Sequence, residues 1–154
     1  MQPTCGNITC AIEYGKILKE KKADEEFKKR KREFKLNDKT IQREAAQRAF
    51  NAFIRYRDKE EPCISCDKPA AWHGKWAAGH FKTRGARPDL RFNEDNCHKQ
   101  CDFYCNSSLS GNLIEYRKRL IVKIGKIRVD ALDIVPKRPQ NYTVEDYRTI
   151  AVKY

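Results

Sequence analysis

In this chain of 154 residues, 33 Lys and Arg stand against 21 Asp and Glu, a formal charge of +12. With a mean hydropathy of −0.86 and no run near the roughly 18 apolar residues of a spanning helix, the composition excludes a protein built on membrane spans. It favours a polyanionic partner, nucleic acid first and an acidic membrane surface second, and a single small core that needs a staple such as a metal.

The first residues, Met1-Gln-Pro-Thr-Cys5, show neither a basic n-region nor an apolar h-region. No signal peptide is therefore expected, and the chain reads as cytoplasmic. Seven cysteines at short spacings then point to metal ligation before a disulfide framework. Cys5 and Cys10 are half of a metal site, or two thiols at a ragged end.

Residues 11–36 predict a long, very polar helix, with Ile17, Leu18, Phe27 and Phe34 too scattered to bury a wide face. Within it, Lys28, Lys29, Arg30, Lys31, Arg32 and Lys35 place six positive charges in eight positions. Such a run is either a solvated helix face or an electrostatic arm that tracks phosphates. Asn37-Asp38-Lys-Thr40 interrupts the helix and can cap a new one. From Ile41 to Arg57 the apolar residues recur at spacings of three and four, which predicts an amphipathic helix with Phe50, Phe53 and Ile54 in the core. Pro62 is its expected stop.

Residues 70–92 predict two short strands around Trp72, Trp76, Phe81, Leu90 and Phe92. They are joined by a basic loop, Lys82-Thr-Arg84-Gly-Ala-Arg87-Pro88, suited to gripping a nucleic-acid backbone or to lying in solvent. Further on, Leu113, Tyr116, Leu120, Ile121 and Ile124 form the stripe of a helix from about Asn112 to Ile124, closed by Gly125. A short helix around 126–134 follows. Pro136-Lys-Arg-Pro139 is a stiff basic linker, and Thr143-Val-Glu-Asp146 opens a last helix through a capping box. The chain divides into a basic extension (1–36), a central domain (37–135), and a linker with a C-terminal helix (136–154).

The central block carries the chemistry. Cys63, Cys66, Cys101 and Cys105 make two close pairs of the kind that hold a structural zinc in a closed tetrahedron. The second pair is separated by three residues, so its loop must bulge. Cys97 is left over. The chain has three histidines, and His80 stands out because it follows Gly79 on a predicted strand beside the basic loop. Phosphodiester hydrolysis needs a base or a metal to activate water and positive charge to stabilise the transition state. An imidazole, one divalent ion and an Arg-rich loop supply these.

The order Cys63-Ile-Ser-Cys66, Gly79-His80, Asn96-Cys-His98-Lys-Gln-Cys101, Cys105-Asn106 and Leu109-Ser-Gly-Asn112 resembles the NinG/Rap recombination proteins of lambdoid phages. It also resembles the wider HNH (ββα-metal) nuclease pattern stapled by a four-cysteine zinc. The resemblance covers roughly residues 40–154. It implies an α+β, mostly helical fold: a small zinc-stapled ββα-metal centre flanked by helices, with the long basic helix ahead of it.

The resemblance further implies an endonuclease that cuts Holliday junctions and D-loops with Mg²⁺ or Mn²⁺, in the host cytoplasm and on DNA. His80 would be the general base and a possible ligand of the catalytic ion. Asn96 would steady the loop, Asn106 would bind the catalytic ion, and His98 and Asn112 are second-rank candidates. Lys28, Lys29, Arg30, Lys31, Arg32, Lys82, Arg84 and Arg87 are the expected DNA contacts. Two cuts at a junction suggest a homodimer.

Two departures stand out. Residues 77–79 are Ala-Ala-Gly where many such sites have a carboxylate or second histidine before the base. Relatives also carry a four-cysteine N-terminal finger, of which Cys5 and Cys10 are half, so the true start is upstream or half a finger is lost. The alternatives are a non-catalytic zinc protein that binds DNA on a degenerate HNH scaffold, and a basic RNA-binding zinc protein.

Overall fold

The computed structural model describes residues 7–134 and 140–154. Cys5 and the linker at 136–139 lie outside them. The protein is mostly helical, with one small antiparallel sheet and a four-cysteine cluster.

Helix α1 (Ile8–Asn37) begins at Asn7, whose side chain accepts from the Thr9 N–H at 2.9 Å, and it buries no residue. A helix this polar gains little from packing, so its 30 residues form a charged rod. Asp38 ends it and starts α2 (Lys39–Arg57) by accepting from the Ile41 N–H at 2.8 Å. The apolar stripe of α2 then turns inward. Phe50 and Ile54 are fully buried, and Phe53 is partly so. The helix stops at Arg57, capped by Asp58. This is earlier than Pro62, because the Asp58 carboxylate turns into the fold to meet the Lys99 N–H and Lys123 Nζ.

Strand β1 (Trp76–His80) pairs with β2 (Cys97–Cys101), His80 opposite Cys97 and Trp76 opposite Cys101. The second strand therefore lies beyond Asn96 and not within 70–92. Leu90 and Phe92 sit instead in an irregular segment with one-turn 3₁₀ helices at Pro88–Leu90 and Glu94–Asn96. Alternation divides the sheet into two faces. Trp76, Ala78, His80, Cys97, Lys99 and Cys101 share one, and Ala77, Gly79, His98 and Gln100 share the other.

A π-helical turn (Asp102–Ser108) follows β2 directly, then α3 (Leu113–Ile124), α4 (Lys126–Ala131) and α5 (Val144–Lys153). Gly125, at φ 85°, separates α3 from α4 in a backbone conformation that suits glycine. Thr143 and Asp146 complete a reciprocal capping box at the start of α5.

Two apolar cores clamp the sheet. Tyr116 and Leu120 of α3 gather Ile64, Phe81, Leu90, Val129 and Leu132. Phe50 and Ile54 of α2 pack against Cys97, with Ala78, Phe92 and Tyr154 around them. Tyr154 meets Phe50 and Phe53 with ring centroids 5.0 and 4.9 Å apart, so α5 is part of the same core as α2.

Candidate metal centre and cleft

The Sγ atoms of Cys63, Cys66, Cys101 and Cys105 all lie within 4.8 Å of one another, those of Cys66 and Cys101 at 3.8 Å. A zinc tetrahedron with bonds of about 2.3 Å has edges of about 3.8 Å, so the donor set fits that ion. The backbone is arranged for thiolates. Cys63 Sγ accepts from the Cys101 and Ser65 N–H groups at 3.3 and 3.5 Å, and Cys101 Sγ from the Cys105 N–H at 3.4 Å. The wide π-turn takes up the extra residue between Cys101 and Cys105.

Burial pushes the Cys63 thiol up to about 11 and raises Cys105 as well. Those two thiols stay protonated unless a cation joins them, and a dication reverses that preference. Trp72 and Trp76 pack beside the cluster, their rings edge to face at 5.1 Å. Cys97 is buried near Phe50, outside the cluster. Cys10 is exposed on α1.

Beside this centre a cleft of about 530 Å³ runs along β1. Trp76, Ala77 and Ala78 all line it, as consecutive residues do where a cleft follows a strand's free edge. It brings together His80, Asn106 and a residue that sequence reasoning passed over, Asp102. Asp102 opens the π-turn, where its N–H donates to the Lys75 carbonyl at 2.9 Å. Its Oδ1 accepts from Asn106 Nδ2 at 3.2 Å. Asp102 lies at the Trp76 end of β1, where Cys101 pairs with Trp76, and His80 lies at the other end, opposite Cys97.

His80 Nε2 lies 2.9 Å from the Arg91 carbonyl. A carbonyl only accepts, so Nε2 carries the proton and Nδ1 keeps its lone pair. Nδ1 faces the Cys97 thiol at 3.6 Å, a weak donor. Burial, with Arg84 and Arg91 nearby, lowers the His80 pKa to about 4, so the ring is neutral at pH 7.

Asn96 is wholly buried. Its Oδ1 accepts from the Lys82 N–H at 2.7 Å, and its Nδ2 donates to the Lys82 and Leu90 carbonyls at 3.0 and 3.2 Å. It pins both ends of the 82–90 loop and touches no cleft surface.

The second-rank candidates lie elsewhere. His98 is on the opposite sheet face, with Nδ1 3.3 Å from the Tyr116 hydroxyl, which itself donates to the Gly79 carbonyl at 2.9 Å. Burial lowers the His98 pKa to about 3. Asn112 donates to the Ser65 carbonyl at 2.8 Å and approaches Cys105 Sγ at 4.0 Å, which makes it a brace of the cysteine cluster.

The basic residues separate in the same way. Arg84 lines the cleft. Arg87 is held by Asp89 through two hydrogen bonds, at 2.9 and 2.7 Å, and by the Leu132 and Ile134 carbonyls. Lys82 pairs with Asp133 at 2.5 Å. Lys28, Lys29, Arg30, Lys31 and Arg32 are exposed on α1, with Lys28 paired to Asp24.

Residues 7–154 match the family described as Bacteriophage Lambda NinG protein. The chain belongs to the NinG family. It is 49% identical over 109 residues to protein ninG of Escherichia phage 933W, an alignment covering 71% of this chain and 52% of that protein. It is 47% identical, with the same coverage, to protein ninG of Escherichia phage lambda and to that of Salmonella phage P22. The chain thus spans about half the length of the NinG relatives it matches. No solved structure matches it. Among the described residues no helix is long and apolar enough to cross a membrane.

Proposed function

We propose that this NinG chain is a metal-dependent endonuclease of the HNH (ββα-metal) type that cuts branched DNA such as Holliday junctions and D-loops. One observation carries the reading: His80, Asp102 and Asn106 line a single cleft that also holds Arg55 and Arg84. Hydrolysis of a phosphodiester needs a base or ion for the water and cationic groups for the crowded phosphorus. Asp102 and the Asn106 amide oxygen are hard oxygen donors suited to Mg²⁺ or Mn²⁺. Such an ion, when bound, would acidify water and polarise a phosphate oxygen.

The chain's own groups do the rest. The Arg91 carbonyl fixes the His80 tautomer, so Nδ1 carries the lone pair and must turn from the Cys97 thiol to take a proton from water. Arg84 and Arg55 face the phosphate, and Asn96 keeps the loop in place. Cys63, Cys66, Cys101 and Cys105 would hold a zinc that braces the π-turn carrying Asp102 and Asn106.

A second reading has its own support. Both His80 nitrogens already have partners inside the protein, which suits a non-catalytic zinc protein that binds DNA on the same scaffold. Incubation of the purified chain with a labelled four-way junction and a matched duplex, with and without Mn²⁺, separates the two. Cleavage of the junction is expected. His80→Ala should lower it by about 10²–10⁴-fold while zinc content and junction binding stay intact. Binding without cleavage under any divalent ion would establish the second reading. Structured RNA that outcompetes the junction would point to an RNA-binding protein instead.

A further inference from the structure

Residues Arg43, Gln47, Asn51 and Arg55 of α2 are spaced four apart. Four-residue steps keep side chains on one helix face, about 6 Å apart, so the row is about 18 Å long. Opposite it stand Thr83, Arg84, Gly85 and Arg91, and the two walls enclose a trough of about 680 Å³. Asn51, Thr83 and Arg84 line both this trough and the His80–Asp102 cleft, so the two are continuous.

The trough is cationic and built. Four arginines line it (Arg43, Arg48, Arg84, Arg91) against one acid, Glu44. Glu44 reaches Arg48 at only 3.9 Å. Among the described residues, no carboxylate pairs with Arg43, Arg84 or Arg91. Its floor is a hydrogen-bonded chain: Arg91 Nη1 donates to Gln47 Oε1 at 3.2 Å, and Gln47 Nε2 donates to Asn51 Oδ1 at 2.8 Å. Gln47 is 8% exposed, so the chain is fixed in the fold. The Asn51 amide group donates to no protein acceptor among the described residues and lies where both cavities meet.

We propose that this trough is the track of the cut strand. The phosphodiester backbone of one DNA strand lies between α2 and the 83–91 segment. Arg43, Arg84 and Arg91 contact phosphates to one side of the bond presented to His80. Along the strand itself successive phosphates lie about twice the 3.4 Å axial rise apart, so a row of about 18 Å spans about three of them. The ligand is a polyphosphodiester because donors line both walls and no apolar pocket awaits a base. The position of the cut rests on the nuclease reading; the track does not.

The test is equilibrium binding of a fluorescent four-way junction to the zinc-loaded full chain from 50 to 200 mM salt, without Mg²⁺ or Mn²⁺. It compares Arg43→Gln, Arg84→Gln, their double variant, and Lys118→Gln on exposed α3 as the control. Each groove substitution should lower the slope of log affinity against log salt by about 0.9 on duplex DNA, or about 0.7 on single strands. The double variant should lose about twice that, and Lys118→Gln nothing. Single methylphosphonates along the cut strand should weaken wild-type binding at a short run of positions, and that run should vanish in the double variant. An unchanged slope in the double variant, or interference indifferent to it, overturns the track. So does structured RNA bound more tightly than the junction through the same two arginines. A wild type that binds with the expected slopes but never cuts would refute the nuclease reading and leave the track standing.

Discussion

Asp102 and Asn106 stand four residues apart on the π-turn after β2, and the Asn106 amide donates to Asp102 Oδ1 at 3.2 Å. Both line the cleft into which His80 opens. The hydrogen bond sets the Asn106 amide so that its oxygen remains available. Asp102→Asn keeps the shape and removes the charge. In the proposed nuclease it should lower cleavage by about 10²-fold or more, since the ion it would help hold supplies several kcal/mol of charge stabilisation. Junction binding should hold or tighten, because one negative charge leaves a DNA-facing surface. Wild-type cleavage by Asp102→Asn at limiting Mn²⁺ would remove the carboxylate from the mechanism. Asn106→Ala should raise the ion concentration needed for half-maximal rate.

Asn96 acts through the loop. Its three hydrogen bonds tie the Lys82 N–H, the Lys82 carbonyl and the Leu90 carbonyl, and the Arg91 carbonyl that orients His80 is the next residue on. Asn96→Ala strands these groups in a buried site, at a cost of about 1–3 kcal/mol. Asn96→Asp keeps the acceptor and loses both donors. The melting temperature should fall for both variants, and most for Asp, whose buried carboxylate oxygen would face the two carbonyls. A melting curve of Asn96→Ala equal to wild type would show that the loop is held by something else.

The zinc expectation follows from burial. Cys63, Cys101 and Cys105 are fully buried, and the backbone N–H groups aimed at Cys63 and Cys101 serve thiolates. Binding of a structural zinc is largely folding free energy, about 10–16 kcal/mol in small zinc domains. One zinc per chain is expected by elemental analysis. Cys63→Ser and Cys101→Ser should abolish it and unfold the central block. Cys97→Ser should leave the zinc in place, because Cys97 packs near Phe50 and outside the cluster. Well-folded protein without zinc would refute the assignment.

The helices and the four-cysteine cluster were legible because both follow spacing rules. Phe50 and Ile54 recur on the helical period, and paired cysteines mark a metal. The partner of β1 was not. Cys97-His-Lys-Gln-Cys101 is fully buried yet polar in three of five positions. It shows no alternation, since each polar side chain finds its own partner: Tyr116 for His98, the Lys59 carbonyl for Lys99, Ser65 and the Gly111 carbonyl for Gln100. Asp102 was hidden between two cysteines that already had a reading. The position just before His80 is glycine because a Cβ there would lie 2.1 Å from Gln100 Oε1. Arg43, Asn51 and Arg55 lie between the apolar positions of α2, and only the fold sets a second wall against them. Arg84 and Arg87 are equivalent in sequence, and only the fold ties Arg87 to Asp89.

Asp58 gives the fold a pH signature of its own. Burial alone would raise its pKa. The Arg57 guanidinium, the Lys99 N–H and Lys123 overcome this and bring the carboxyl down to about 2 from 3.8. The folded state therefore favours the charged form. The contribution is complete above about pH 4 and disappears as pH falls through about 2. A gap of nearly two pKa units corresponds to about 2 kcal/mol. The side chain is 4% exposed, so solvent screening removes little of it. Asp58→Asn should destabilise the protein at pH 7 by about that amount, measured by urea denaturation. The gap between wild type and variant should stay level from pH 7 to about 4.5 and narrow below about 4. Acid also displaces zinc from thiolates, but in both proteins alike, so the difference between them is the readout. A gap that widened toward acid, or was absent at pH 7, would show that Asp58 is not held charged by Arg57 and Lys123.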